Sequence, residues 1–126
     1  DGTYPVEVYT DLVTLLRCAQ HNEYEEFDPV YKNFGDKAKE EGFDHVAYSF
    51  YSIAQIEKIH GDRFAQYAKW LESGQMFKAE VETGWMCLNC GHIHIGKRVP
   101  ELCPVCRHPK GFFIPLGLAP YTGGIV

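Results

Sequence analysis

Four cysteines in two C-x-x-C pairs carry the strongest chemical signal in the sequence. Two residues separate the cysteines within each pair and twelve residues lie between the pairs, which are formed by Cys87, Cys90, Cys103 and Cys106. Four thiolates in a tetrahedral array suit zinc or iron. Spacing alone leaves two interpretations open: a zinc ribbon that only stabilises a small fold, or an iron centre that carries one electron.

A second set of candidate ligands lies in the middle of an apolar helical pattern. Apolar residues recur at steps of three or four from Val46 to Leu71, and Glu57 and His60, one turn apart, interrupt them. Burying an ionised carboxylate costs on the order of several kcal/mol unless something pairs with it. An inward Glu-x-x-His is half of the ligand set of di-iron and di-manganese carboxylate bundles. The pattern therefore predicts that this helix binds iron.

The preceding stretch has the same design. Its apolar positions run from Leu12 to Phe34 at helical spacing, with Glu23 and Glu26 in the middle. Glu26 lies sixteen residues before Gly42 and Glu57 lies fifteen after it. Because a short connection makes two helices pack as an antiparallel hairpin, the two polar midpoints are expected at the same height.

Cap and stop signals set the expected bounds of the two helices. Thr10 is the expected N-cap of the first helix, and Pro29 is expected to kink that helix about one turn beyond its glutamates. Gly42 is the expected stop. The second helix is expected from Asp44 to about Glu72.

The remainder of the chain lacks a helical period. Residues 75–82 read as a connector that closes at Gly84, and short β segments and turns follow because glycine and proline are frequent. The sequence therefore predicts two domains, a helical hairpin at residues 1–74 and a four-cysteine domain with a C-terminal tail at residues 75–126.

Composition excludes several classes of function. No apolar run in the 126 residues approaches the roughly 20 needed to span a membrane. Residues 1–74 carry a formal charge of −7 and residues 75–126 carry +2, so nucleic acid is not an expected partner. Paired cysteines that read as metal ligands favour a reducing, cytoplasmic setting.

Together these motifs resemble the rubrerythrin family, specifically its C-terminal part. The resemblance runs from about Asp11 to Ile114 and rests on five segments: Glu23-Tyr-Glu-Glu26, Glu40-Glu-Gly-Phe43, Ile56-Glu57-Lys-Ile-His60, Trp85-Met-Cys87-Leu-Asn-Cys90-Gly91 and Cys103-Pro-Val-Cys106. The combination is specific, whereas each motif alone is common.

The resemblance implies an α plus small β fold. In that family a ferritin-like four-helix bundle holds a non-haem di-iron site, and a rubredoxin-like domain holds one iron on four cysteines. Carried over to this sequence, Glu57 resembles a bridging carboxylate and His60 a terminal ligand. Glu23 and Glu26 resemble the paired glutamates of the preceding helix. Tyr31 matches a tyrosine that hydrogen-bonds a ligating carboxylate, although a core aromatic is an equally good reading from the residues alone.

The resemblance also implies an activity. The family reduces hydrogen peroxide to water, with electrons that enter at the four-cysteine iron from a donor protein such as a rubredoxin or a flavoprotein reductase. A ferroxidase or oxygen-reducing di-iron protein is the alternative enzyme. A zinc-ribbon interaction module, with zinc in place of iron, is the alternative from another class.

One departure concerns the number of helices. The family's bundle needs a Glu from each of two helices and a Glu-x-x-His from each of two others, and this sequence supplies half of that set. The alternatives are a homodimer in which each chain gives one hairpin, a second chain that carries the missing helix pair, or loss of that pair.

Overall fold

The computed structural model describes residues 8–120, which divide into two compact units between Glu72 and Ser73. The first unit is helical and the second is a small antiparallel sheet, so the expected fold class is confirmed. The division falls two residues before the boundary expected at Gly74. Of the expected C-terminal tail, residues 121–126 lie outside the described part. Within residues 8–120, no helix has the length and hydropathy that crossing a bilayer requires.

The first helical arm has two regular parts. Helix α1 spans Leu12–Glu25, an irregular segment spans Glu26–Tyr31, and α2 spans Lys32–Glu40. Backbone angles of φ −148° and ψ 111° at Asp28 interrupt the helix directly before Pro29, so the expected kink is confirmed.

The N-cap of α1 differs from the expected one by one residue. Asp11, not Thr10, has the extended backbone of a cap, and its carboxylate accepts the Thr14 backbone N–H at 2.8 Å. An aspartate is also favoured here over threonine because its negative charge faces the positive end of the helix dipole.

The turn between the arms is a Schellman motif. Gly42 has φ +83°, its N–H donates to the Lys39 carbonyl at 3.1 Å, and the Phe43 N–H donates to the Ala38 carbonyl at 2.8 Å. The expected stop at Gly42 is therefore confirmed. Helix α3 then spans Asp44–Glu72.

A seam of small residues joins the two arms. The buried residues of α3 recur at every seventh position and are Ala47, Ala54, Gly61 and Ala68. Small side chains allow helix axes to approach closely. The apolar stripe of the sequence analysis adjoins this seam and stays partly exposed; Phe34 is 50% exposed and Val46 44%. The candidate ligand Glu57 therefore flanks the seam, three residues after Ala54 and four before Gly61.

The second unit is a three-stranded sheet. Strands β1 (Lys78–Cys87), β2 (Ile93–Arg98) and β3 (Phe113–Pro115) are antiparallel in the order β2-β1-β3. The expectation of a connector up to Gly84 was wrong, because β1 begins at Lys78. Alternation of polar and apolar residues from Lys78 to Glu82 is the strand signal that was overlooked.

The core of this unit contains two of the candidate ligands. Cys87 and Cys103 are fully buried beside three apolar side chains, those of Trp85, Val99 and Phe113. The Trp85 indole N–H donates to the Gly96 carbonyl at 2.9 Å and so remains satisfied inside. The sheet therefore holds the cysteine pairs from within.

Candidate metal centres

The four cysteines converge on one point. The sulfurs of Cys87 and Cys106 are 3.7 Å apart, those of Cys90 and Cys103 are 3.7 Å apart, and all four lie within 4.8 Å of one another. None forms a disulfide. An ion held at 2.3 Å by four sulfurs in a regular tetrahedron separates them by about 3.8 Å. The arrangement therefore fits one tetrahedral ion such as iron or zinc.

Two similar backbone turns place these sulfurs. In the first turn the Gly91 N–H donates to the Cys87 carbonyl and the Cys87 N–H donates to the His92 carbonyl, both at 2.8 Å. The second turn has the same two bonds: the Arg107 N–H donates to the Cys103 carbonyl at 3.0 Å, and the Cys103 N–H donates to the His108 carbonyl at 2.8 Å. Gly91 (φ +79°) and its counterpart Arg107 (φ 64°) both have left-handed backbone.

The pKa values of two of the four thiols shift in opposite directions. The His108 backbone N–H that points at Cys106 lowers the pKa of that thiol to about 6. At Cys90 the His92 N–H acts in the same direction, but burial and the three neighbouring thiols outweigh it and raise the pKa to about 12. Adjacent thiolates repel one another, so all four ionise together only around a positive ion.

A second cluster lies between α1 and α3. Oxygens of Glu23 and Glu57 and a ring nitrogen of His60 lie within 4.8 Å of one another. The His60 Nδ1 is 2.8 Å from Glu57 Oε2 and 3.4 Å from Glu23 Oε2. These three residues come from both arms of the hairpin, as the polar midpoints predict. Two carboxylates and an imidazole form a donor set that suits iron.

The surroundings of Glu23 favour a bound cation. Its side chain is only 23% exposed and that of Glu57 only 15%. Loss of solvent, then the hydrogen bond and the charge of Glu57, raise the pKa of Glu23, while His60 opposes that shift. A metal ion would remove the mutual repulsion of the two carboxylates. The residues present therefore fit a carboxylate-bound metal.

Tyr31 lies beside this cluster. Burial raises the pKa of its hydroxyl first, and the charges of Glu26, Glu57 and Glu23 raise it further. The Tyr31 ring stacks on Phe50 with centroids 6.2 Å apart. The hydroxyl therefore remains protonated at neutral pH within the field of the carboxylates.

Glu26 is the predicted ligand that the structure does not bring into the cluster. It is exposed and opens the irregular segment Glu26–Tyr31, and the cluster of mutually close donor atoms consists of Glu23, Glu57 and His60. The role of Glu26 as a ligand stays a prediction.

Sequence reasoning overlooked the residues that lie directly behind the cluster. The Tyr24 hydroxyl donates to Asp62 Oδ1 at 2.8 Å and so links α1 to α3 next to Glu23 and His60. The available signal was Gly61, a glycine inside a long helix, which indicates the close approach of another group.

Comparisons with known proteins give matches in both units of the chain. The family model for rubrerythrin matches residues 1–68, and the model for the rubrerythrin rubredoxin-like domain matches residues 85–114. The chain is 42% identical over 113 residues to a rubrerythrin of Clostridium perfringens, covering 90% of this chain and 58% of that protein. It is 38% identical over 117 residues to a rubrerythrin of Nitratidesulfovibrio vulgaris, covering 93% and 61%.

The fold of the chain is also similar to that of a solved structure. A structure of nigerythrin in a partially reduced state aligns with a TM-score of 0.50 and 24% identity, covering 91% of this chain and 55% of that one. The chain thus spans about six-tenths of the length of the two rubrerythrins above. With a helical unit and a four-cysteine unit that both match in order, the chain belongs to the rubrerythrin family.

Proposed function

We propose that the chain works as a rubrerythrin-type peroxidase, which reduces hydrogen peroxide to water and protects against oxidative stress. The single observation that supports this is the presence, in one chain, of a four-thiolate cluster and a carboxylate–imidazole cluster. The first suits an ion that carries one electron and the second suits iron with positions left for an oxygen ligand. Electrons would pass from the four-cysteine iron to the di-iron site.

Each group at the helical cluster has a task in this proposal. Glu23, Glu57 and His60 would hold the iron. When bound, two irons would supply the two electrons that reduction of hydrogen peroxide to two waters consumes. That reaction also consumes two protons, and we propose that the Tyr31 hydroxyl, whose pKa burial and the nearby carboxylates raise, passes one of them to the site.

The helical ligand set described here is half of the set that a carboxylate bundle uses. Carboxylate bundles use a Glu from each of two helices and a Glu-x-x-His from each of two others, and the hairpin supplies one of each kind. The partly exposed apolar residues of the stripes that carry the candidate ligands, such as Phe34 and Val46, are a surface that further helices would cover. We propose that a second copy of this chain, or a separate chain with a similar hairpin, completes the bundle.

The remaining proposals follow from the activity. The electron donor would be a redox protein such as a rubredoxin or a flavoprotein reductase, and the setting would be cytoplasmic. We do not expect nucleic acid or a membrane as partners, because the helical part carries excess negative charge. An oxygen-reducing enzyme would use the same ligands with dioxygen as the oxidant, and a ferroxidase would use them to oxidise ferrous iron as its substrate.

The test begins with the metal content and colour of the purified protein. Ferric iron on four thiolates gives a red protein that dithionite bleaches, whereas zinc gives a colourless one. We expect a red protein whose native mass shows two hairpins per assembly and whose reduced form is reoxidised faster by hydrogen peroxide than by dioxygen. Faster reoxidation by dioxygen would favour the oxidase. A colourless zinc protein without peroxide turnover would contradict the proposal.

A further inference from the structure

A tyrosine locks α1 against α3 immediately behind the carboxylate–imidazole cluster. The Tyr24 ring lies across Gly61 so closely that a Cβ atom on Gly61 would lie 2.5 Å from Tyr24 Cε1. The Tyr24 hydroxyl donates to Asp62 at 2.8 Å, and the Lys58 ammonium holds the other oxygen of Asp62 at 2.7 Å. We call Tyr24, Gly61, Asp62 and Lys58 the ligand-end clamp.

The same construction recurs nearer the turn, with the helices exchanged. The Tyr51 ring of α3 lies across Gly35 of α2, where an added Cβ atom would collide with it. The Tyr51 hydroxyl donates to Asp36 at 2.7 Å and the Lys32 ammonium donates to the other oxygen at 2.9 Å. We call Tyr51, Gly35, Asp36 and Lys32 the distal clamp.

The two clamps are related by an approximate two-fold operation that exchanges the arms. In both clamps an aspartate directly follows the glycine, and a lysine lies four residues before the aspartate. Tyr24 precedes Gly35 by eleven residues, whereas Tyr51 precedes Gly61 by ten. The extra residue falls on the arm that contains the irregular segment Glu26–Tyr31, whose π-type turn accommodates it.

The clamps differ in what their neighbours do. Glu23 directly precedes Tyr24 and His60 directly precedes Gly61, so the ligand-end clamp fixes both arms one residue away from two candidate ligands. At the distal clamp the corresponding neighbours are Phe50 and Phe34, whose ring centroids are 5.5 Å apart.

From this juxtaposition we propose that the ligand-end clamp is a positioning device for metal binding: it sets the separation and register of α1 and α3 that bring Glu23 and His60 to one ion. The distal clamp stabilises the hairpin without this second role. The inference rests on the proposed metal-binding function of the helical cluster. Ring contact with Gly61 fixes how closely the helices approach, and the hydroxyl bond to Asp62 opposes sliding of one helix along the other.

The test compares matched substitutions in the two clamps of the full chain. One equivalent of zinc first fills the four-cysteine site, and Co²⁺ is then titrated in while its visible ligand-field absorption is recorded. Tyr24→Phe and Gly61→Ala alter the ligand-end clamp, and Tyr51→Phe and Gly35→Ala make the same changes in the distal clamp. Thermal unfolding of each metal-free variant measures the purely structural effect.

We expect the ligand-end substitutions to weaken Co²⁺ binding by about tenfold and to shift the absorption bands, as loss of a group that orients ligands does elsewhere. The distal substitutions should lower the midpoint of thermal unfolding to a similar extent but leave Co²⁺ affinity within about twofold. Tyr→Phe keeps the ring and gives the comparison if the alanine variants do not fold.

Two results would overturn the inference. Equal loss of Co²⁺ affinity from both clamps would show that affinity follows stability, and unchanged affinity in the ligand-end variants would show that the clamp does not position ligands. Absence of a Co²⁺ signal from the helical site in the unaltered protein is a different result, because it would overturn the proposed function together with this inference.

Discussion

The helical hairpin contains two regions with the same backbone arrangement and different side chains, one at the ligand-end clamp and one at the distal clamp. At one end Glu23, Glu57 and His60 lie within 4.8 Å of one another. At the other end the corresponding positions hold rings whose centroids are 5.5 to 6.3 Å apart, those of Tyr31, Phe34 and Phe50. A clamp of Tyr, Gly, Asp and Lys lies next to each of these sets of three side chains. The packing of the helices is therefore the same in both regions. The side chains at three equivalent positions determine whether a region holds a polar cluster or an apolar one.

The cysteine turns show the opposite case. Their two halves share both the backbone hydrogen bonds and the ligands, because each half supplies two sulfurs. A tetrahedral ion needs both halves equally, so their side chains cannot diverge in the way that the ends of the hairpin have diverged. Comparing the two cysteine turns with the two clamp regions thus separates residues required by the backbone arrangement from residues required by a metal.

The largest expected effect distinguishes the two ends by activity. Glu57→Ala should reduce peroxide turnover at least about 100-fold, because loss of a ligand costs no less than loss of a group that orients one. The red colour of the four-cysteine iron should remain, since Glu57 lies in the other unit. Turnover is measured as peroxide consumed per iron. Full turnover in Glu57→Ala would remove Glu57 from the site.

The next effect distinguishes the ends by stability. Phe50→Ala should lower the free energy of unfolding by about 2 kcal/mol, less than for a fully buried phenylalanine because Phe50 is only half-buried. It should leave the Co²⁺ affinity of the helical site unchanged. Denaturant unfolding followed by helical circular dichroism measures the first quantity. A large loss of Co²⁺ affinity would mean that the aromatic end also shapes the ligand end.

A smaller effect tests the equivalence of the cysteine turns. Arg107 has φ 64°, a conformation that costs an ordinary residue about 1 kcal/mol, so Arg107→Gly should stabilise its unit by about that amount. Gly91→Ala should destabilise it by about 1 kcal/mol, and no heavy atom lies within 4 Å of the added Cβ. Loss of the red colour in denaturant reports on this unit alone. Changes in stability of the same sign in both variants would refute the equivalence of the two cysteine turns.

The smallest effect concerns the repulsion that the metal would relieve. The folded pKa of Glu23 is raised above its ordinary value of 4.5, so at neutral pH its charge opposes folding of the metal-free protein. Glu23→Gln should stabilise that form by up to about 1 kcal/mol at pH 7. The gain should disappear as pH falls through the folded pKa towards 4.5, because unaltered Glu23 is then protonated as well.

Thermal unfolding of the metal-free proteins, from pH 8 down to below 3.8, the ordinary pKa of an aspartate, checks this dependence. Asp36→Asn at the distal clamp is the control of opposite sign. Hydrogen bonds from Lys32 and Tyr51 lower the pKa of Asp36, so its removal should destabilise the hairpin at neutral pH and matter less as the pH falls through that lowered pKa. A gain from Glu23→Gln that is independent of pH would contradict the electrostatic explanation.

The parts of this molecule that sequence reasoning found are those encoded by local spacing. The C-x-x-C turns, the proline kink and the stop at Gly42 each depend on a few adjacent residues, and each is seen in the structure. The polar interruption of two apolar stripes indicated which helix faces carry Glu23, Glu57 and His60. It did not separate Glu23 from Glu26, because an irregular turn begins at Glu26 and changes the helical spacing there.

The parts that were not found depend on contacts between distant segments. The seam of Ala47, Ala54, Gly61 and Ala68 has a weak signal, since small residues contribute little to an apolar pattern. The clamps pair residues 38 and 15 positions apart, which no local pattern reveals. The start of β1 at Lys78 was missed because the alternating residues there are small or charged and give a weak pattern. The strand is recognised from its pairing with β2, in which Lys78 lies opposite Arg98.

The seam has a consequence for how such a hairpin changes over time. The residues that join the arms and the residues proposed to hold metal are different positions of α3, such as Ala54 and Glu57, although they are neighbours on the helix. Substitutions that abolish the chemistry can therefore leave the hairpin intact as a folded scaffold. A gene that has lost its catalytic carboxylates would still encode a stable pair of helices, on which new ligands can be tried one at a time.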